Sequence, residues 1–142
     1  MIAALAALLL QAQTLPRSEE TRVVAVAQAM FDALARGDRA AMRSLVLPGA
    51  VATASIDGEV RQVTMAEFID TLPAAGPVLE ERMYDPLVRV DGDVAMLWAA
   101  YDFRIDGQLS HCGSDLFDLV RDNGQWKVAS LTWNQRKDCA TR

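Results

Sequence analysis

Apolar residues recur along this chain with two periods, one helical and one alternating, and the change between them falls near the middle. Val23, Val26, Ala27, Met30, Phe31 and Leu34 share one stripe at helical spacing. Ser18 stands before them as an N-cap, and Glu19 and Glu20 suit the positive end of the helix dipole. Gly37 closes this helix. Asp38 caps a shorter second one, whose apolar side is Met42, Leu45 and Val46, until Leu47-Pro48-Gly49 stops it. Thr64-Met65-Ala66-Glu67 has the form of a capping box and starts a third helix, running to about Leu72.

Val51 to Ile56 and Glu59 to Val63 flank Asp57-Gly58 and predict a small hairpin. The second half is punctuated by Asp91-Gly92, Asp106-Gly107 and Asn123-Gly124. Two-residue hairpin turns favour such dipeptides because both central residues take positive φ. The strands between them are about 79–90, 94–105, 108–122 and 125–135. Pro86 cannot donate to a ladder, which predicts an edge or bulged strand for the first of these.

Tight turns also set register. They place Asp102 opposite His111, Trp98 opposite Asp115, Asp115 opposite Thr132 and Phe117 opposite Ser130. Alternation then gathers Met96, Trp98, Asp102, His111, Asp115, Phe117, Trp126, Val128 and Thr132 on one face. Leu97, Tyr101, Phe103, Cys112, Leu116, Leu131 and Trp133 share the other. Both faces are substantially apolar, so both need cover: helices on one, a partner subunit on the other. A single bulge would swap the faces beyond it.

The run Met30-Phe31-Asp32-Ala33-Leu34-Ala35-Arg36-Gly37-Asp38, with Met42 and Leu45 after it, resembles the first two helices of the nuclear transport factor 2-like superfamily. Val90-Asp91-Gly92-Asp93-Val94-Ala95, Tyr101-Asp102-Phe103, His111-Cys112-Gly113, Phe117-Asp118-Leu119-Val120 and Gly124-Gln125-Trp126-Lys127-Val128 extend the resemblance. It is nearest to the SnoaL-like and lumazine-binding bacterial members and spans roughly Glu20 to Trp133. The resemblance implies a cystatin-like, cone-shaped α+β barrel. In it a curved antiparallel sheet wraps three N-terminal helices around a central pocket, and such domains are commonly dimers. It implies little about chemistry, because the superfamily holds isomerases, dehydratases, hydrolases, cyclases and binding modules.

The 142 residues suit one domain, and 51% are hydrophobic. The apolar excess gathers at Met1 to Ala12, where only Gln11 is polar. That run is too short to span a bilayer and has the look of a signal peptide, against the alternative of an apolar helix kept in the fold. The expected organisation is a leader over 1–12, a domain over 19–135 and a polar tail over 136–142. Net charge is −5, from 14 Lys+Arg against 19 Asp+Glu. A mildly acidic chain without a basic run argues against nucleic acid and, once the leader is removed, against membranes. Export would permit a Cys112–Cys139 disulfide. Register opposes it, because Cys112 faces Gln135 and a straight strand would carry Cys139 about 13 Å too far; two free thiols are the alternative.

The candidate chemistry rests on few groups. Asp102 opposite the single histidine, His111, would orient the imidazole as a general base, or would form a solvated cross-strand pair. Asp115 lies mid-sheet, where a carboxylate needs a partner and burial raises its pKa. Asp32 is read as solvent-facing. Met30, Phe31, Trp98, Phe117, Trp126 and Thr132 are the candidate pocket residues. One histidine and two separated cysteines make no zinc site, and no motif asks for a cofactor. Three functions follow: an exported binder of a small, largely apolar molecule; a cofactor-free lyase, isomerase or cyclase using Asp115 or the Asp102–His111 pair; or a dimerisation module without ligand. A homodimer through the sheet face is expected.

Overall fold

The computed structural model describes residues 18–139. The expected leader lies outside them. Three helices, α1 (Glu19–Ala35), α2 (Arg39–Ser44) and α3 (Met65–Thr71), accompany six strands: β1 (Val46–Ile56), β2 (Glu59–Thr64), β3 (Leu79–Asp91), β4 (Val94–Ile105), β5 (Gln108–Asp122) and β6 (Gln125–Gln135). They form one curved, unclosed sheet in the order β2-β1-β6-β5-β4-β3. All neighbours are antiparallel except β1 and β6, which run parallel, so the sheet is mixed.

Local chemistry explains the boundaries. The Ser18 hydroxyl accepts from the Thr21 N–H at the start of α1. At α3, Thr64 and Glu67 complete a reciprocal capping box. Asp57-Gly58, Asp106-Gly107 and Asn123-Gly124 all take positive φ at both positions. The β3–β4 turn differs: Asp91 pairs with Val94, so its central residues are Gly92 and Asp93 rather than Asp91 and Gly92. β3 is an edge strand and bulges between Tyr84 and Leu87, where Pro86 stands.

Two further bulges correct the expected register. The β4–β5 ladder shifts between Phe103 and Arg104 and skips Ser110. Asp102 therefore faces Cys112, Trp98 faces Leu116, and Asp115 faces Ala99. The β5–β6 ladder shifts between Asp118 and Leu119 and skips Ala129, so Asp115 faces Trp133 and Phe117 faces Leu131. Each bulge exchanges the faces beyond it. The helix-facing side collects Leu97, Ala99, Tyr101 and Phe103 with His111, Asp115, Phe117 and Leu119, and then Trp126, Val128, Leu131 and Trp133.

This inner face packs on the helices. Phe31 of α1 meets Phe117 edge-on, with centroids 5.9 Å apart. Phe68 of α3 lies 5.2 Å from Trp133. Burying side chains of this size contributes about 1.5–3 kcal/mol each. At the opposite end, Glu19 accepts from both Arg121 (2.8 Å) and Trp126 Nε1 (2.9 Å), and the Arg121 guanidinium lies 4.4 Å over the Trp126 ring. That contact fastens the first turn of α1 to β5 and β6.

Cys112 and Cys139 form a disulfide, with Cα atoms 5.8 Å apart. β6 ends at Gln135, Arg136 makes an isolated bridge with Cys112, and Cys139 N–H bonds back to the Lys137 carbonyl. The chain thus turns back instead of running on straight, which removes the register objection.

Candidate functional site

Between the sheet and the helices lies a cavity of about 280 Å³. Met30, Phe31 and Leu34 of α1 and Met42 of α2 form one wall, and Met65, Phe68 and Leu72 at α3 form another. The sheet contributes Tyr101, Phe103, Leu131 and Trp133, with Ile56 from the end of β1. Glu81, His111, Asp115 and Gln135 complete the lining. Met30, Phe31, Met42, Met65, Tyr101 and Asp115 are buried, whereas Ile56, Leu72, Phe103, His111 and Gln135 are half-buried and mark the rim.

Asp115 is the buried charged residue of the core, with 2% of its surface exposed. It comes to this place because β5 alternates strictly between its two bulges, and because small Ala99 opposite leaves it room. Glu81 projects from β3 on the same parity as Leu79 and Met83, which pack against the core. Its residue is only half-buried, being on the edge strand, but its carboxyl end is fully desolvated beside Asp115. With both groups ionised, Asp115 Oδ2 is buried without a donor among the described residues. A proton on Glu81 supplies one.

The electrostatics agree. Desolvation, then the Asp115 charge and its hydrogen bond, hold the Glu81 proton well above the usual carboxylate range. Desolvation pushes Asp115 up to about 7, with the hydrogen bond from Glu81 pulling the other way. The two titrate as a pair that gives up its first proton near pH 7 and keeps one between them above it. Burial, then the same two carboxyls, raises the Tyr101 phenol. The Tyr101 hydroxyl donates to the Asn134 carbonyl at 2.8 Å, which fixes the ring. His111 stacks on Phe103 at 4.7 Å, and burial, then Lys137, lowers its pKa, so it is neutral at pH 7.

Of the residues singled out from the sequence, Met30, Phe31, His111 and Asp115 stand at this cavity. The others do not. Phe117 is packed solid behind Phe31, and Trp126 lies at the Glu19 end of α1. Trp98 and Thr132 are exposed on the outer face. Asp102 is there too, accepting from Tyr84 (2.5 Å) and Arg104 (3.2 Å), so the expected Asp102–His111 pair does not form. Asp32 is solvent-exposed, as expected. Glu81 and Tyr101 were not among the candidates. The alternation of Leu79, Glu81 and Met83 was the available signal for Glu81. Among the described residues no group of three or more His, Cys, Asp or Glu side chains is placed to hold a metal ion.

Residues 18–134 match the model of a protein family described as "Putative lumazine-binding". No curated protein matches the chain. Three of the solved structures that share its fold show the extent of the likeness. A nuclear transport factor 2-like protein from Cytophaga hutchinsonii has a TM-score of 0.73 at 14% identity, over 84% of this chain and 100% of that one. A protein from Streptomyces avermitilis, described as a "putative dehydratase" of the same family, has 0.69 at 19%, over 84% and 96%. A protein of unknown function from Silicibacter pomeroyi has 0.63 at 23%, over 82% and 94%. At these identities the likeness concerns the fold.

Proposed function

Because the chain belongs to the family described as "Putative lumazine-binding", within the nuclear transport factor 2-like superfamily, we propose that it binds a small organic molecule between sheet and helices. The observation that carries this reading is the cavity itself: about 280 Å³, walled by aromatic, methionine and leucine side chains, with carboxyl groups gathered at one place. Ligand sites are mostly apolar with a few convergent polar groups, and run to about 300–1,000 Å³ for drug-sized molecules. This one stands at the small end and suits one or two fused rings. Lumazine, named in the family's description, is a fused two-ring heterocycle. Calorimetric titration with lumazine and with 2-naphthol tests the reading. Binding of either, abolished by Leu72→Trp at the rim, is the expected result. No heat from either, in a protein that melts cooperatively, overturns it.

A second reading is favoured by one observation, a carboxylate tuned to about 7 beside a protonated carboxylic acid. That arrangement suits cofactor-free proton transfer, as a lyase, isomerase or cyclase requires. Asp115 would take a proton and Glu81 would hold one. Exchange of the α-protons of 2-tetralone in heavy water, followed by NMR, is expected to be faster with the protein than with Asp115→Asn. Equal rates remove this reading.

Export and self-association belong to the same proposal. The apolar run at Met1 to Ala12 and the Cys112–Cys139 disulfide support export. Among the described residues no helix is long and apolar enough to cross a membrane. Sequencing the N-terminus of protein recovered outside the cytoplasm tests it; a chain found only inside, with Met1 intact, is the contrary result. The outer sheet face, with Trp98 and Leu87 about half exposed, supports a homodimer.

A further inference from the structure

We infer that the molecule this cavity selects carries a basic nitrogen, and that it presents an N–H to the Asp115–Glu81 carboxyl pair. The inference rests on the binding reading above and names the chemistry of its ligand. Its geometric basis is a pair of side chains: Asp115, 98% buried, and Glu81 both line the cavity, with their carboxyl groups beside one another.

The rest of the lining decides the sign of the charge. Among the described residues no Lys or Arg lines the cavity; Arg136 and Lys137 are felt at Tyr101 and His111 without lining it, so an anionic ligand would meet carboxyl groups and no counter-charge in the lining. Each titratable group facing the cavity is accounted for. On β3, Glu81 is held protonated by burial and by Asp115. On β4, Tyr101 keeps its proton and gives it to the Asn134 carbonyl. On β5, His111 is neutral, and its Nδ1 lies 3.1 Å from Ser110 Oγ. The helices α1, α2 and α3 contribute only apolar side chains. Above about pH 7 the lining therefore offers one shared negative charge and, among the described residues, no positive one.

A protonated amine completes this arrangement. Its N–H donates to the carboxyl pair, and its charge offsets that of the pair, leaving one proton on Glu81. The aromatic walls add to the preference, because ring faces attract cations once water is excluded. Phe68, Tyr101, Phe103 and Trp133 provide four such rings around the lining. An alcohol would donate one hydrogen bond without the charge. A carboxylate would repel.

The test uses three probes of one shape and three charges, 1-naphthylmethylamine, 1-naphthalenemethanol and 1-naphthoate, titrated calorimetrically at pH 8, where Asp115 is mostly ionised. The expected order is amine at least tenfold tighter than alcohol, with no heat from the carboxylate. Asp115→Asn is expected to bring amine and alcohol within about twofold. Glu81→Gln, which keeps a donor beside an intact Asp115 carboxylate, is expected to retain the tenfold preference and guards against a fold defect in the first variant. If the alcohol binds as tightly as the amine, or the carboxylate binds best, the inference is overturned while the pocket reading stands. If no probe binds the wild-type protein, the inference falls, and the pocket reading is decided by lumazine and 2-naphthol.

Discussion

Tyr101 and Gly113 face each other across β4 and β5, and a methyl group built on Gly113 would lie 2.7 Å from Tyr101 Cε1. It would also run into the Asn134 carbonyl, the acceptor of the Tyr101 hydroxyl. Gly113 thus leaves its place on the inner row to the tyrosine ring, and the ring closes the floor of the cavity. Gly113→Ala is expected to destabilise the protein by about 1–3 kcal/mol, the usual cost of overpacking. Urea unfolding measures this. A variant as stable as the wild type would mean that Tyr101 is free to move.

The carboxyl pair makes stability depend on pH in a defined direction. Unfolded Asp and Glu side chains ionise near pH 4. In the folded protein burial holds the Glu81 proton well above that range and pushes Asp115 up to about 7. The folded state therefore binds more protons than the unfolded chain between those limits, and stability falls as pH rises through them. Asp115→Asn cannot ionise and is expected to flatten the decline. Urea midpoints at about pH 5 and about pH 8 provide the comparison. The wild type should lose more between them than the variant; equal losses would place the titration elsewhere.

How much of this was legible depends on where the chain can slip. The helical positions Met30 and Phe31 reached the cavity as read, because a capped helix fixes which side each residue occupies. Strand boundaries were legible from turn dipeptides, whose positive φ few other residue pairs accept. The faces of the strands were not. Ser110 and Ala129 are ordinary residues, yet each is the extra residue of a bulge and inverts everything beyond it. Trp98, Asp102 and Thr132 consequently lie on the outer face, apart from His111 and Asp115, while Leu131 and Trp133, read on the opposite face from those two, join them inside. Asp115 was noticed for sitting mid-sheet, but its partner Glu81 comes from a strand two turns and two bulges away, where turn arithmetic no longer holds.

The disulfide should stabilise chiefly by shortening the unfolded chain. It closes a separation of 27 residues, worth roughly 3–4 kcal/mol in the chain-entropy model. The double variant Cys112→Ser with Cys139→Ser is expected to lose about that much by urea unfolding. It should also lose protection of the Arg136 amide, which bonds to the Cys112 carbonyl at 2.9 Å, in hydrogen exchange. Unchanged protection there would show that the backbone bridge, and not the disulfide, holds the tail.

Trp98 bears on the proposed homodimer. It stands on the outer face between Leu87 and Leu116 in register, and 48% of its surface is exposed. In a sheet-to-sheet dimer a tryptophan at such a position would be a central anchor, and truncating an anchor of this kind costs about 2 kcal/mol or more. Trp98→Ala is then expected to weaken association at least 30-fold in sedimentation equilibrium. Because about half of the side chain is exposed in its own chain, thermal unfolding of the dissociated protein should move far less than association does. A wild-type chain that sediments as a monomer at tens of micromolar would remove the sheet-face dimer altogether. Conversely, a dimer indifferent to Trp98→Ala would place the contact on another surface.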